Sequence, residues 1–329
     1  MDLIHEDSNH AMLGAIERYE LDLAFGSDEN DFECTMAISD HCCSIGDYLA
    51  MQDVVNGHVK YTEYGGRIDG VSVDTGNETV TYSGRTWHGI LAKKILCPDD
   101  GQDYLVLSGD ANEVLGFLIQ RTGLGDLFEA SDQKAGIAIT SYQMDRYIDA
   151  YTGIRKMLKC AGAKLAMYYR DGKVYLSAVP LVDYSQDEEW DSDQMNFQIS
   201  SNERPVNHLI CLGKGDLSER MVRHLYMDVR GNISETQTFF GVDEVTETYD
   251  YSNVESEEEL ITGGTQRLQE TWAAANTLET DFENNTEYDV GDIVGARETI
   301  TGVTIKRDIV KKILKVNSSG INVECQIGE

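Results

Sequence analysis

The sequence predicts an α+β protein that is mainly β, with two small β-barrel domains, an intervening α+β domain and an inserted helix. Three observations lead to this prediction. Short strand patterns fill residues 1–104, two amphipathic helices and a hairpin lie within 105–198, and strand patterns return in 199–329. At 329 residues the chain is also longer than one hydrophobic core ordinarily supports, so three domains with these boundaries are expected.

The first domain is predicted to be β because its apolar residues alternate and its turns recur. Val80 and Tyr82 alternate with threonines, as in a half-buried strand. Turn residues occur at 65–66 and again in the segment DTGNE at 74–78. Short strands separated by such turns are typical of a small barrel or sandwich.

The second domain is predicted to contain two helices and a hairpin. Asp110 and Glu113 have the spacing of a capping box, and an apolar stripe follows them. A second helix is predicted from about residue 145 to 160, where apolar side chains recur with helical spacing. The Asp-Gly dipeptide at 171–172 predicts a tight hairpin between the two strands that follow this helix.

The third domain, residues 199–329, is predicted to combine strands with a helical insertion. The strands are expected at about 199–241 and 286–329, and the insertion at about 242–285. Near the C-terminus apolar and polar residues alternate strictly, and the segment NSSG at 317–320 predicts a turn between the last two strands.

Two features describe the predicted helix of the insertion. Ser252 and Glu255 have capping-box spacing, which places the start of the helix there. Gly263 and Gly264 lie within the helix, and each glycine costs about 1 kcal/mol relative to alanine. Such a pair is expected where a helix packs closely against a neighbour or kinks.

The composition restricts the partners of the protein. With 27 basic and 58 acidic residues, the formal net charge is −31, and a surface this acidic repels nucleic acid and anionic membranes. We therefore predict no tight nucleic-acid binding and no stable membrane insertion. The N-terminus has no basic and apolar pattern of a secretion signal, which predicts folding in the cytoplasm. The seven cysteines include no CxxC pair, so free thiols are expected.

The sequence contains none of the common catalytic or cofactor motifs. Phosphate loops, dinucleotide fingerprints, HExxH and GxSxG are all absent from it. The acidic segment at 183–194 spaces Asp187, Asp191 and Asp193 like calcium ligands, but it lacks the glycine and the distal glutamate of such a loop. It is predicted to be a solvated charged loop, and no metal site and no cofactor are predicted.

Residues 41–43 combine a histidine with two cysteines, the residue types of a thiol nucleophile and its base. His41 precedes Cys42 and Cys43, but neighbouring residues of a strand point to opposite faces, which disfavours a nucleophile and base pair there. Carboxylate pairs for glycoside cleavage have no discriminating value among 58 acidic residues. We therefore predict no catalytic residue.

Arg85, Trp87 and His88 form the most distinctive cluster of polar and aromatic residues. They are compatible with a ligand pocket in which the indole stacks on the ligand. The favoured alternative is structural: a strand end at which Trp87 fills the core while Arg85 pairs with a carboxylate.

Four stretches resemble the hub proteins of phage and prophage tails from Gram-positive hosts, a siphophage tail-tip family akin to the baseplate hub of contractile tails. They are residues 62–115, which include TEYGGRIDG, then 206–215, 255–270 and 288–316. The first of them is also echoed within the chain, since TEYGGRIDG at 62–70 is similar to TEYDVGDIVG at 286–295. This echo suggests two related β units.

The resemblance implies a structural protein of the virion rather than an enzyme. Such hubs are homotrimers whose subunits each carry two tube-forming β-barrel domains, so that six barrels match a sixfold tail tube. The implied partners are a distal tail or tail tube protein ring, the tape measure protein, and a tail spike, fibre or tip protein. The implied location is the tail tip or baseplate, after assembly in the host cytoplasm.

The resemblance also implies DNA passage through the ring. Some tail-tip proteins carry a C-terminal hydrolase, but this sequence ends at Glu329 soon after its last strand pattern, so no lytic activity is expected. The alternative function is a cell-wall glycosidase or a carbohydrate-binding module.

Overall fold

A computed structural model describes residues 1–186, 190–191, 197–200, 202, 204–229, 231–275, 277–280 and 288–328. These residues form mainly strands with a few helices, so the predicted α+β, mainly β class is confirmed. Asp187 and Asp193 lie outside the described residues, and the solvated acidic loop therefore stays a prediction. Among the described helices, none combines the length and apolar character needed to cross a membrane.

The strands and helices are numbered in chain order. The strands are β1 (Asp2–Glu6), β2 (Met12–Ile16), β3 (Glu20–Gly26), β4 (Asp31–Ala37), β5 (Tyr48–Val55), β6 (His58–Asp74), β7 (Thr79–Thr86), β8 (Ile95–Leu96), β9 (Leu105–Asp110), β10 (Phe128–Ala130), β11 (Ala138–Met144), β12 (Ile148–Asp149), β13 (Ala163–Arg170), β14 (Lys173–Pro180), β15 (Trp190–Asp191), β16 (Phe197–Ser200), β17 (His208–Leu212), β18 (Val222–Met227), β19 (Ile233–Ser234), β20 (Thr246–Asp250), β21 (Thr277–Thr280), β22 (Ile293–Arg297), β23 (Thr304–Asn317) and β24 (Gly320–Gly328). The helices are α1 (Trp87–Ala92), α2 (Ala111–Thr122), α3 (Ala150–Cys160) and α4 (Glu257–Ala275).

The chain divides into two compact units. The first contains the described residues of Met1–Gln186, Phe282–Val294 and Asp308–Ile327. The second contains those of Asp187–Asp281, Gly295–Arg307 and Gly328–Glu329. Most of the two C-terminal strands therefore belongs to the same unit as the N-terminal half of the chain.

The first unit is organised around one large antiparallel sheet. Within this unit the strand order is β23-β3-β4-β7-β6-β5-β1-β2, and β24 pairs with β23. The C-terminal strand β23 joins the N-terminal strands by pairing with β3, where Ile313 lies opposite Ala24. Leu23, Phe25 and Tyr82 point into the core of this sheet, as the alternation of strand residues requires.

The predicted hairpin and first helix are confirmed in the first unit. β13 and β14 form a tight hairpin whose turn residues, Asp171 and Gly172, have φ values of 50° and 78°. Positive φ at both positions is what a two-residue turn of type I′ needs. α2 begins after Asp110, whose side chain accepts a hydrogen bond from the Asn112 amide.

The second helix is shorter than predicted. α3 spans Ala150–Cys160, whereas the sequence pattern predicted a start near residue 145. The Asp149 side chain accepts from the Thr152 amide and so caps the helix at this point. The preceding two residues pair with β8 as strand β12, which removes them from the helix.

The second unit contains a four-stranded sheet covered by α4. The strand order is β19-β18-β17-β20, with β20 parallel to β17. α4 therefore occupies only part of the predicted helical insertion, because β20 precedes it and β21 follows it. The predicted cap at Ser252 is wrong, since the helix starts at Glu257 and the Ser256 hydroxyl accepts from the Glu259 amide at 3.4 Å.

Gly264 lets α4 pack closely on its sheet. Close packing was one of the two explanations predicted for the glycine pair, the other being a kink. A methyl group at this position would come within 2.8 Å of Leu225 Cδ1 and would also collide with the Cys211 thiol. Both neighbours are buried in the core between the helix and the sheet. The close approach therefore explains a glycine inside a helix.

We expect Gly264→Ala to lower the thermal stability of the second unit. Alanine favours a helix by about 1 kcal/mol over glycine, but forcing a methyl group into a packed core costs roughly 1 to 3 kcal/mol. Gly116→Ala in α2 is the matched control, since its methyl would lie 3.7 Å from Ala130 Cβ in ordinary contact. Calorimetry should record a lower transition temperature for the first variant and an unchanged or higher one for the second.

Candidate functional site

Trp87 lies at the start of α1, directly after the end of β7. Its side chain is 0% exposed. The indole stacks on Tyr169, with ring centroids 4.7 Å apart and planes 11° apart, and Tyr48 stacks nearby at 6.1 Å. Its Nε1 has no hydrogen-bond partner within the described part of the chain. An indole enclosed in this way fills the core and has no free face for a ligand.

His88 and Arg85 also make contacts that serve the fold. The His88 ring stacks on Phe25 at 3.9 Å, and burial holds the pKa of His88 well below its usual range, so the imidazole is neutral. Arg85 donates two hydrogen bonds to Asp69, at 2.6 and 2.8 Å. The geometry of the 85–88 stretch thus agrees with its structural interpretation.

His41 is not oriented as a base for the adjacent thiols. Its Nδ1 is hydrogen-bonded to the hydroxyl of Tyr82. Residues 41–44 are also not a strand, so the expectation that His41 and the neighbouring thiol point to opposite faces does not apply. Their sulfur atoms lie 3.7 Å apart.

A network of buried charges lies within the first unit and centres on Lys312 of β23. Lys312 is 2% exposed, and its ammonium lies 3.1 Å from a Glu63 carboxylate oxygen and 3.0 Å from an Asp289 carboxylate oxygen. The ammonium also lies 5.7 Å from the centroid of the Tyr64 ring. Three segments distant in sequence are therefore joined by one cation.

Lys164 of β13 extends this network. Its ammonium donates to Asp289 at 2.8 Å and to Asp292 at 2.7 Å. The second oxygen of Asp292 accepts from the Val182 amide at 2.9 Å. Alternating cations and carboxylates thus satisfy one another, which is the condition under which buried charges are tolerated.

The carboxylates of the network keep Lys312 charged by raising its pKa. Burial opposes the charge of Lys312, but Glu63, Tyr64 and Asp289 raise its pKa overall. Burial raises the pKa of Glu63 more than Lys312 lowers it, whereas at Asp289 the two lysines outweigh burial and lower the pKa. A permanently charged lysine is a structural ion and a poor proton donor.

A small cavity of about 220 Å³ borders the network. Its lining includes Lys60, Tyr61 and Met167 together with the carboxylates of Glu63 and Asp289. Both of these carboxylates contact Lys312, so neither is available as the free acid or base that glycoside cleavage requires.

The two echoed sequence segments meet at this network. Glu63 belongs to TEYGGRIDG, Asp289 belongs to TEYDVGDIVG, and both contact the same ammonium. Thr286 and Glu287 of the second segment lie outside the described residues. The sequence indicated that the segments are similar but did not identify Lys312 as the residue that connects them.

A second polar cluster lies in the second unit and was not predicted. His208 Nδ1 is 2.6 Å from Glu244, and its Nε2 is 2.8 Å from Nδ1 of His224. His208 also stacks on Tyr226, with centroids 4.4 Å apart. A carboxylate orients the first imidazole here as in a catalytic triad, but the next member is an exposed histidine rather than a nucleophile.

Solved structures similar to the whole chain include three tail proteins from different bacteria. A prophage MuSo2 tail protein from Shewanella oneidensis has a TM-score of 0.56 at 10% identity, covering 99% of this chain and 98% of its own. A tail protein from Neisseria meningitidis MC58 has a TM-score of 0.53 at 11% identity, covering 100% and 96%. A prophage tail protein from Listeria monocytogenes EGD-e has a TM-score of 0.51 at 12% identity, covering 99% and 94%. The chain has the fold of phage tail proteins.

This likeness confirms, at the level of the fold, the resemblance that the sequence indicated. It extends over nearly the full length of each tail protein, so the fold is shared as a whole rather than through one common domain. No protein-family model and no curated protein sequence matches the chain.

Proposed function

We propose that this protein is a structural hub at the tip of a phage tail or of a tail-like particle. The carrying observation is the tail-protein fold along the whole chain, found in three proteins from different bacteria. In this role the chain forms a homotrimeric ring that adapts a sixfold tail tube to a threefold tip or spike and lets DNA pass. It acts by shape and assembly and has no enzymatic role.

Two similar β units in each of three subunits would give six units, which match the sixfold symmetry of the tail tube. The proposed units are the predicted domains at 1–104 and 199–329, with residues 105–198 between them. Two observations bear on this arrangement: the C-terminal strand β23 pairs with β3 of the first β region, and the echoed segments meet at Lys312. Closed rings of like subunits arise when head-to-tail contacts are related by a rotation that closes.

The charge of the chain fits a passage for DNA. A net charge of −31 gives the ring a negative field, which keeps DNA from adhering to the wall. The proposed partners are a distal tail or tail tube ring, the tape measure protein and a spike, fibre or tip protein. The protein would act in the virion after assembly in the host cytoplasm.

Strand β2 is the best candidate for a contact between subunits. Among the described strands it ends the large sheet, so its outer edge is available to pair with another chain. Met12 and Leu13 on this strand are 64% and 59% exposed. An exposed, apolar edge strand promotes sheet extension between subunits.

The isolated protein is expected to form a trimer whose stability rises with salt. Acidic subunits repel one another, and at about 0.15 M salt the Debye length falls to roughly 8 Å, which screens this repulsion. Light scattering across a salt series measures the mass, and images of the purified particle reveal its symmetry. A strict monomer at every concentration and salt would contradict the proposal.

Paired variants test the edge strand. Leu13→Lys should weaken the trimer, because a lysine on an edge strand disfavours pairing with another strand. Val73→Lys is the matched control, since Val73 is 56% exposed on β6, a strand inside the sheet order, and lies opposite Val80 of β7. Equal weakening by both variants would indicate that added charge, rather than the edge, is responsible.

A further inference from the structure

Three side chains of metal-binding type lie close together near one end of the large sheet in the first unit. One imidazole nitrogen of His5 and the sulfur atoms of Cys42 and Cys43 all lie within 4.8 Å of one another. His5 comes from β1, and the cysteines lie in the segment that leads into β5, which pairs with β1. The pairing of two strands thus brings residues about 37 positions apart into one cluster.

The local backbone allows both cysteines to contribute. Residues 41–44 follow a short 3-10 turn, Ile38–Asp40, and adopt no regular structure before β5. Adjacent side chains in such a segment are not forced to opposite sides, unlike those of a strand. Cys43 is buried and Cys42 is exposed, so the cluster lies at the boundary between the core and solvent.

We propose that His5, Cys42 and Cys43 form a zinc site. With a Zn–S bond of about 2.3 Å, two sulfur ligands of a tetrahedral ion are separated by about 3.8 Å. The observed separation of the two sulfur atoms is 3.7 Å. The thiols therefore already lie at the spacing that the metal needs. Thiolate and imidazole ligands select zinc over magnesium and calcium, which prefer oxygen.

The metal ion and its three ligands together carry no net charge. Each thiol releases its proton to solvent, and the two thiolates neutralise the two positive charges of the ion, while His5 binds as a neutral ligand. A neutral complex suits a position where His5 is 3% exposed and Cys43 is 2% exposed. The exposed Cys42 provides the route of entry, and the fourth position is open to water.

Asp47 holds the imidazole in place. Its carboxylate lies 2.8 Å from His5 Nε2 and also accepts from the Ser44 amide at 2.8 Å. A carboxylate that orients a ligating histidine is the usual supporting group of a zinc site. Asp47→Asn is therefore expected to weaken zinc binding about tenfold to a hundredfold without abolishing it.

Oxidation of the two cysteines to each other is the less favourable alternative. Consecutive Cα atoms are about 3.8 Å apart, whereas disulfides usually span at least about 4.4 Å. A disulfide between neighbours would therefore be strained. The same two sulfur atoms meet no such restriction as ligands of one ion.

Cobalt substitution tests the site directly. The full chain, reduced and freed of metal with a chelator, is titrated with Co²⁺, and the expected result is a thiolate-to-cobalt charge-transfer band with tetrahedral visible bands, saturating at one ion per chain. Added Zn²⁺ should abolish these bands. Cys42→Ser should lose the charge-transfer band or most of its intensity, whereas Cys160→Ser, which changes an exposed cysteine of α3, should keep it.

A second measurement remains valid if a variant folds poorly. In the unmodified protein, zinc should protect the exposed Cys42 from alkylation, while the exposed Cys97 and Cys160 stay reactive. Mass spectrometry of the labelled peptides distinguishes the three positions. The proposal is overturned if the reduced protein gives no band, if Cys42→Ser keeps the full band, or if zinc leaves Cys42 as reactive as Cys97 and Cys160.

Discussion

Trp87→Ala is expected to destabilise the first unit by roughly 3 to 5 kcal/mol, the usual cost of truncating a large buried aromatic residue. The indole is 0% exposed, and stacks on Tyr169 and Tyr48. Removal leaves a cavity among rings that pack against one another. A loss of this size is a large share of the stability of an ordinary domain, so the variant should fold poorly or become insoluble.

Trp87→Phe is the matched variant and should lose much less. Phenylalanine keeps a stacking ring, and the Nε1 group that it removes has no hydrogen-bond partner within the described residues, so no bond is sacrificed. Calorimetry and soluble yield measure both variants. If Trp87→Ala kept its transition temperature but lost binding to a saccharide or a peptide, the structural role of the indole would be refuted.

Local sequence signals predicted local structure well. The Asp110 cap and the Asp-Gly hairpin at 171–172 occur where they were predicted, because each depends on hydrogen bonds and dihedral angles within a few residues. The misplaced starts of α3 and α4 have the same origin. Several serines and aspartates could cap each helix, and the strand pairing of β12 excludes the earlier start of α3.

Long-range pairing could not be predicted from the sequence. Nothing in the local pattern indicates that β23 pairs with β3, which are separated by most of the chain. A partial signal existed at Lys311 and Lys312, two charged residues between Val310 and Ile313 in an apolar strand. Lysines in such a position indicate buried carboxylate partners, but the sequence contains 58 acidic residues and does not identify which.

The thiol cluster was missed because of a wrong assumption about local structure. The prediction for residues 41–43 assumed a strand, in which His41 and the neighbouring thiol would point to opposite faces. Without a strand there, Cys42 and Cys43 lie together. The histidine beside them is His5, far away in sequence, rather than the adjacent His41.

Lys312→Met is expected to destabilise the first unit by roughly 3 to 5 kcal/mol, the range found when one member of a buried ion pair is removed. Methionine matches the length of the lysine stem but leaves Glu63 and Asp289 without this cation. The lower end of the range is more appropriate, because the Asp289 side chain is 44% exposed and also keeps its contact with Lys164.

Lys315→Met is the control, and the pH dependence separates charge from packing. Lys315 lies on the same strand and contacts Glu324 at 3.0 Å, but its side chain is 40% exposed, so its loss should cost about 0 to 1 kcal/mol.

The pKa of Glu63 is already raised by burial and should rise further without Lys312. A carboxyl whose folded pKa exceeds its unfolded value destabilises the fold when ionised, and protonation relieves this as pH falls. The deficit of Lys312→Met should therefore shrink between about pH 7 and pH 5. Denaturant unfolding at both pH values measures it, and a deficit that does not change with pH would assign the loss to packing alone.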